Sequence, residues 1–132
     1  MAKVLISPGK YVQGAGEMKK LGEYAQNYGK KALILISKGG YKRIGAMVEK
    51  SFEGKECGYV FDYFNGECSK KEIKRLGEIV KKEACDVVIG IGGGKIFDTA
   101  KAVAYYEKTP VLICPTIAST DAPCSALSVI CL

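Results

Sequence analysis

Short apolar runs alternate along this chain with longer stretches in which apolar residues recur every three or four positions. The short runs occupy residues 4–6, 32–36, 58–63, 87–91 and 111–114 and are rich in β-branched side chains. Runs of this length and composition are typical of buried strands. The stretches between them have the period of an amphipathic helix, so the sequence predicts alternating strands and helices.

Three of the predicted helices have a clear apolar face. The third of them begins at Ser69, because the sequence SKKE has the spacing of a capping box. In that motif the Ser69 hydroxyl and the Glu72 carboxylate each accept a hydrogen bond from a free backbone N–H group. The three faces consist of Met18, Leu21, Ala25 and Tyr28; of Tyr41, Ile44, Val48 and Phe52; and of Ile73, Leu76, Val80 and Ala84.

Strands that alternate with helices pair in parallel through right-handed crossovers. We therefore expect an α/β fold with a Rossmann-like, doubly wound parallel sheet. A chain of 132 residues is long enough for a single domain with a hydrophobic core and too short for two ordinary domains. Ligands of such sheets bind at the carboxyl ends of the strands, where the informative residues of this sequence fall.

Composition and charge restrict the functional class. Hydrophobic residues make up 48% of the chain, yet no apolar run approaches the roughly 18–20 residues that cross a bilayer. The N-terminus reaches Ser-Pro-Gly too early for a signal peptide, so we expect a cytoplasmic protein without a membrane partner. The net charge of +6 comes from lysines scattered over predicted helices, which favours solvated helix faces over a nucleic-acid surface.

The six cysteines are not spaced as zinc or redox pairs, because no Cys-x-x-Cys motif occurs. We expect reduced and mostly buried side chains that behave as small hydrophobic groups.

A run of three glycines, Gly92 to Gly94, joins a predicted buried strand to a predicted helix. Glycine lets the backbone turn sharply and approach a ligand closely, and a helix N-terminus attracts a phosphate. Lys95 could add a full positive charge. The run is not a Walker A loop, because Ile96 stands where serine or threonine is needed, and its spacing does not fit the dinucleotide fingerprint either. On this segment alone, a tight turn without a ligand is an equal alternative.

A wider set of residues resembles a known family. The motifs are GGGK at residues 92–95, DTAK at residues 98–101 and PTIASTDAPCS at residues 115–125, with a weaker match at residues 13–16. Together they resemble the metal-dependent, iron-containing alcohol dehydrogenases and, within them, the glycerol dehydrogenases. The resemblance covers essentially the whole chain and the N-terminal third of a family member. It implies that residues 1–132 form the dinucleotide-binding domain and that a C-terminal helical, metal-binding domain is absent.

The resemblance also implies roles for individual residues. It places Gly93, Gly94 and Lys95 at the cofactor diphosphate, Thr116 and Ser119 on the loop that lines the cofactor, Ser125 and Leu127 beside the nicotinamide, and Asp121 at the hydroxyls of glycerol. Asp98 is also assigned to the cofactor-binding site. For this residue, a first-turn carboxylate that stabilises the helix is favoured over a catalytic acid.

Simpler structural roles remain open for the loop residues. Asp121 could form a turn, and Thr116 and Ser119 could satisfy loop backbone groups. Cys124 is expected to pack rather than to act as a nucleophile, because the chain has no histidine to activate it.

Ser37 occupies the position after the strand at residues 32–36, where an acidic residue would bind the adenosine ribose. A carboxylate there repels the extra phosphate of NADP, whereas Ser37 and the neighbouring Lys38 need not. The resemblance nevertheless implies NAD as the cofactor, with NADP open.

The metal of the family would be held by one aspartate and two histidines beyond residue 132. We therefore assign no metal ligand and no catalytic residue in this chain, and expect zinc or iron only in a full-length enzyme. The apolar run at residues 126–132 stops as an unpaired strand, which suggests a truncated gene product, a fragment or an excised domain.

The resemblance implies an enzyme that oxidises glycerol to dihydroxyacetone with NAD as hydride acceptor and that forms a homo-oligomer at full length. We expect the isolated chain to be inactive. The alternative is a catalytically inactive, dinucleotide-binding remnant.

Overall fold

The computed structural model describes residues 21–115 and 128–130. Helices and strands alternate along this part of the chain. In chain order the elements are α1 (Leu21–Ala25), β1 (Lys31–Ile36), α2 (Lys38–Ser51), β2 (Gly58–Tyr63), α3 (Lys70–Glu83), β3 (Val87–Gly92), α4 (Gly94–Glu107), β4 (Val111–Pro115) and β5 (Ser128–Ile130).

The strands form one sheet in the order β2-β1-β3-β4-β5. All pairs among β1 to β4 are parallel, whereas β5 runs antiparallel to β4. This sheet confirms the predicted α/β fold, and β1 to β4 match their predicted bounds to within one residue at each end. The predicted strand at residues 4–6 lies outside the described residues. The expectation of an unpaired final strand is wrong, because Val129 and Ile130 pair with Leu112 and Val111.

Helices cover both faces of the sheet. On one face, α1 and α2 pack on Ile34 and Ile36, and on the other, α3 and α4 pack on Leu33 and Leu35. These β1 side chains are at most 1% exposed, because successive residues of a strand point to opposite faces and both faces are covered. The sheet is therefore doubly wound, as the nearly continuous apolar runs predict.

Helix α3 corrects two details of the sequence prediction. The Ser69 hydroxyl caps the helix by accepting a hydrogen bond from Glu72 N at 3.1 Å, but the described hydrogen bonds of the Glu72 carboxylate run to Asn65 N and to Arg75. The capping box is thus only half formed. Ala84 does not extend the buried face, because it is an exposed left-handed residue (φ 57°) that ends the helix.

The first predicted helix ends earlier in the structure than its apolar face suggests. Leu21 and Ala25 are buried in α1 as expected, whereas Tyr28 follows the helix in a turn and is half-buried. Met18 lies outside the described residues.

Among the described cysteines, Cys57, Cys85 and Cys114 are buried and Cys68 is exposed. Burial raises the pKa of the Cys57 thiol to about 11, so this side chain stays protonated at neutral pH. No helix in residues 21–115 combines the length and the apolarity that a membrane crossing requires.

The order of the parallel strands creates a crevice between β1 and β3. After β1 the chain continues into α2 on one face, and after β3 it continues into α4 on the opposite face. Adjacent strands whose connections leave in opposite directions open a crevice at their carboxyl ends, where doubly wound proteins bind ligands. Ser37 and the glycine run both lie at this edge.

Candidate functional site

Gly92 makes the sharp corner at the end of β3. Its φ of 145° lies in a region that residues other than glycine rarely adopt, and a Cβ there would lie 2.7 Å from Ile96 Cδ1. The fold itself therefore requires glycine at this position.

Gly93 and Gly94 are glycines for which the described fold gives no reason. Both are exposed, and a Cβ built on either would have no described atom within 4 Å. Gly93 has a φ of −116°, which any residue adopts. The lack of side chains instead leaves the backbone amides of this corner accessible, as a ligand that binds the main chain requires.

The N-terminus of α4 also differs from those of α2 and α3. Ser37 and Ser69 cap α2 and α3 with side-chain hydrogen bonds, whereas Gly93 offers α4 no side-chain cap. Within residues 21–115, no side chain of the N-cap residue therefore binds the first amides of α4, which can donate to another partner. The helix dipole adds a partial positive charge at the same place, so an anionic group fits this N-terminus.

Lys95 is the second residue of α4. Its Nζ lies 3.3 Å from Glu67 Oε2, and the two side chains are 65% and 75% exposed. The positive charge predicted beside the glycines is present, but in this structure it is paired with a carboxylate. Glu67 was not anticipated from the sequence; it lies on the loop after β2, and the carboxyl ends of parallel strands share one edge of the sheet.

Asp98 is the fifth residue of α4, and the first turn of this helix contains no acidic residue. The interpretation of Asp98 as a first-turn carboxylate is therefore wrong, because the helix begins at Gly94. Residues four apart share a helix face, so exposed Asp98 lies one turn beyond Gly94. Its neighbour Thr99 is buried and donates a hydrogen bond from Oγ1 to Lys95 O at 2.8 Å.

Ser37 lies at the carboxyl end of β1, across the crevice from the glycine corner. Its Oγ accepts a hydrogen bond from Gly40 N at 2.9 Å, so the hydroxyl serves as the α2 cap. The Lys38 Nζ lies 6.0 Å from the centre of the Tyr63 ring, and the first turn of α2 has no acidic residue. This end of β1 therefore carries a cation and no carboxylate from α2.

The structure brings Ser37, Gly93, Gly94 and Lys95 to one edge of the sheet, with Asp98 one helical turn away. Several predicted site residues lie outside the described residues: Thr116, Ser119, Asp121, Ser125 and Leu127.

An open corner of bare amides and a lysine suits a cofactor diphosphate. A metal ion finds no such fit in residues 21–115 and 128–130, where no group of three or more histidine, cysteine, aspartate or glutamate side chains converges.

Comparison with known proteins identifies the family of this chain. The family described as iron-containing alcohol dehydrogenase matches residues 8–132. A glycerol dehydrogenase of Escherichia coli O6:H1 is 49% identical across 98% of this chain and 35% of its own length.

Two solved structures share the fold. The crystal structure of glycerol dehydrogenase from Schizosaccharomyces pombe has a TM-score of 0.68 at 28% identity and covers 86% of this chain and 29% of that one. The crystal structure of NADH-dependent butanol dehydrogenase A from Thermotoga maritima has a TM-score of 0.62 at 32% identity. The match covers 77% of this chain and 27% of that one. The chain spans about a third of the length of the curated relatives it matches, such as 35% of the first. With a family match over nearly its whole length, this chain belongs to the iron-containing alcohol dehydrogenase family.

Proposed function

We propose that this chain is the nucleotide-binding part of an NAD-dependent polyol dehydrogenase that oxidises glycerol to dihydroxyacetone. The observation that carries the proposal is the N-terminus of α4, where the described residues give no structural reason for two glycines and Gly93 provides no side-chain cap beside Lys95. A diphosphate supplies the acceptors that these donors lack.

The residues of the glycine corner bind and orient the cofactor diphosphate. The amides of Gly94, Lys95 and Ile96 donate hydrogen bonds to the diphosphate oxygens, and the Lys95 ammonium neutralises part of their charge. Bound NAD supplies the chemistry by accepting a hydride from the secondary carbon of the alcohol. We propose that Thr116, Ser119, Ser125 and Leu127 contact the remainder of the cofactor, and Asp121 the glycerol hydroxyls.

Binding to the pure chain tests this proposal. We expect calorimetric titration with NAD to show saturable binding, weakened about three- to tenfold by Lys95→Gln through loss of a charged donor. Lys82→Gln removes an equal charge at the far end of α3 and should leave the affinity unchanged. Absence of binding, or equal weakening by both variants, would contradict the proposal.

The choice of NAD over NADP has a separate test. The similar structure from Thermotoga maritima is described as NADH-dependent, which supports NAD. Ser37 and Lys38, in contrast, need not repel the 2′-phosphate of NADP. We expect NAD to bind more tightly than NADP in parallel titrations, and a clear preference for NADP would refute this choice.

The alternative function is a dinucleotide-binding module without catalysis. We propose that the chain alone does not turn over glycerol, because the resemblance places the metal ligands beyond residue 132. If the chain is part of a dehydrogenase, a mixture with NAD and glycerol should produce NADH once the C-terminal part of a related enzyme and zinc or iron are added. A chain that binds NAD but never supports NADH production in this assay would favour the non-catalytic module.

A further inference from the structure

We infer that Glu67 regulates the proposed cofactor site by pairing with Lys95 and competing with the diphosphate for its ammonium group. The inference rests on the proposed function and adds a residue from a different loop. Its basis is the ion pair between Lys95 Nζ and Glu67 Oε2 at 3.3 Å, which joins residues 28 positions apart.

A buried carboxylate anchors the loop that carries Glu67. Glu72 is 1% exposed, and its two oxygens accept hydrogen bonds from Arg75 Nε at 2.8 Å and Arg75 Nη2 at 2.7 Å. The same carboxylate accepts a hydrogen bond from Asn65 N at 3.3 Å, while Phe64 N donates to Ile36 O at 2.9 Å. The start of the loop is therefore fixed to both β1 and α3.

The next residues turn the chain so that Glu67 projects outwards. Asn65 Oδ1 accepts a hydrogen bond from Glu67 N at 3.0 Å, and Gly66 between them has a φ of 106° that favours glycine. The backbone of Glu67 is thus held in place while its side chain remains 75% exposed. A fixed backbone with an exposed carboxylate keeps a negative charge within reach of the Lys95 ammonium.

A diphosphate at the N-terminus of α4 brings negative charge to the same ammonium. Glu67 then either gives up Lys95 or keeps its ammonium away from the phosphates, and both outcomes weaken binding. Because both side chains are largely exposed, the ion pair is weak and easily exchanged. The expected effect is therefore a moderate adjustment of cofactor affinity and not a block of the site.

Titration of the whole chain with NADH, followed by its fluorescence, tests the inference. We expect Glu67→Gln to tighten NADH binding about two- to fivefold at low salt, with the gain shrinking as ionic strength rises. Glu53→Gln removes the same charge from an exposed site after the C-terminal end of α2, at the opposite edge of the sheet, and should change little. In a Lys95→Gln background, Glu67→Gln should tighten binding much less, because the contested ammonium is gone.

The outcomes separate the two claims. If Glu67→Gln binds NADH as tightly as the wild type or more weakly, the inference is overturned while the proposed cofactor site stands. The inference is also overturned if Glu53→Gln tightens NADH binding as much as Glu67→Gln does. The same holds if Glu67→Gln tightens binding equally in the wild-type and Lys95→Gln backgrounds. Failure of the wild type and every variant to bind NADH overturns the proposed function and the inference together. Thermal melts of the variants should match the wild type, because Glu67 is exposed, so an affinity change is not a folding effect.

Discussion

Neighbouring glycines in this chain serve different purposes. Gly92 is needed by the fold, because its φ is 145° and a Cβ would press on Ile96. Gly93 is not needed by the described fold, because its φ is −116° and the space around it is open. A sequence motif presents the two as equivalent, and only the backbone conformation separates them.

This difference predicts opposite results for two alanine substitutions. Gly92→Ala should lower the free energy of unfolding by about 1–2 kcal/mol, the cost of a left-handed residue with a side chain. Gly93→Ala should leave it within about 0.5 kcal/mol of the wild type, as an open exposed site allows. Urea denaturation followed by circular dichroism measures both, and equal destabilisation by the two variants would contradict this assignment.

Glu72 predicts a pH-dependent contribution to stability. The hydrogen bond from Arg75 lowers the pKa of this carboxyl from its ordinary value of 4.5. The stabilisation is therefore complete above pH about 4.5 and is lost as the pH falls through the lowered value.

The test replaces the charge and keeps the shape. Glu72→Gln should lower the free energy of unfolding by about 1–3 kcal/mol at pH 7, and the difference from wild type should shrink as the solution is acidified. Glu78→Gln, on the exposed side of α3, is the control and should be nearly neutral. A deficit that stays the same down to the lowest pH at which the protein folds would show that Glu72 acts through packing and not through its charge.

At the level of elements, the N-terminus of α4 differs from those of α2 and α3. Ser37 and Ser69 each accept a hydrogen bond from a backbone amide in the first turn of α2 and α3. Helix α4 begins without such a cap, and its first residue, Gly94, also has no side chain.

Filling this cap should therefore raise stability and lower affinity. Gly93→Asp should stabilise the chain by about 0.5 kcal/mol, because a carboxylate caps the helix and interacts with its dipole. The same charge should weaken NAD binding at least about tenfold by repelling the diphosphate. Thermal denaturation and calorimetry measure the two effects.

Gly93→Asn is the matched control, since it adds a cap of the same shape without the charge. Its loss of affinity should be smaller than that of Gly93→Asp. If Gly93→Asp binds NAD as tightly as the wild type, the diphosphate does not lie at this helix.

The sequence predicts the elements well where local patterns decide them. The apolar period locates β1 to β4 to within one residue, and Ser69 marks the start of α3. Sequence patterns fail where other side chains or loops compete for the same group. Glu72 has capping-box spacing, but Arg75 and the backbone of Asn65 take its carboxylate. The ion pair between Glu67 and Lys95 likewise depends on loops that only the folded sheet brings together.

For the whole molecule, the strand order determines which loops lie at the edge of the proposed site. The crevice between β1 and β3 exists because α2 and α4 leave the sheet towards opposite faces. That arrangement brings the caps of two helices together, although Ser37 and Gly93 are far apart in the chain. Strand order is not encoded in any local pattern, so the sequence could indicate this edge only through the general rule for doubly wound sheets.

The most direct test of the cofactor site is to observe the backbone amides while NAD is added. In two-dimensional nuclear magnetic resonance spectra of ¹⁵N-labelled chain, we expect the amide signals of Gly93 to Ile96 to shift most, with smaller shifts around Ser37. Amides at the opposite edge of the sheet, near Glu53, should not respond. Saturable binding that instead shifts the groove between α3 and α4, around Gly77 and Tyr106, and leaves Gly93 to Ile96 unmoved would contradict the diphosphate site proposed at this glycine corner.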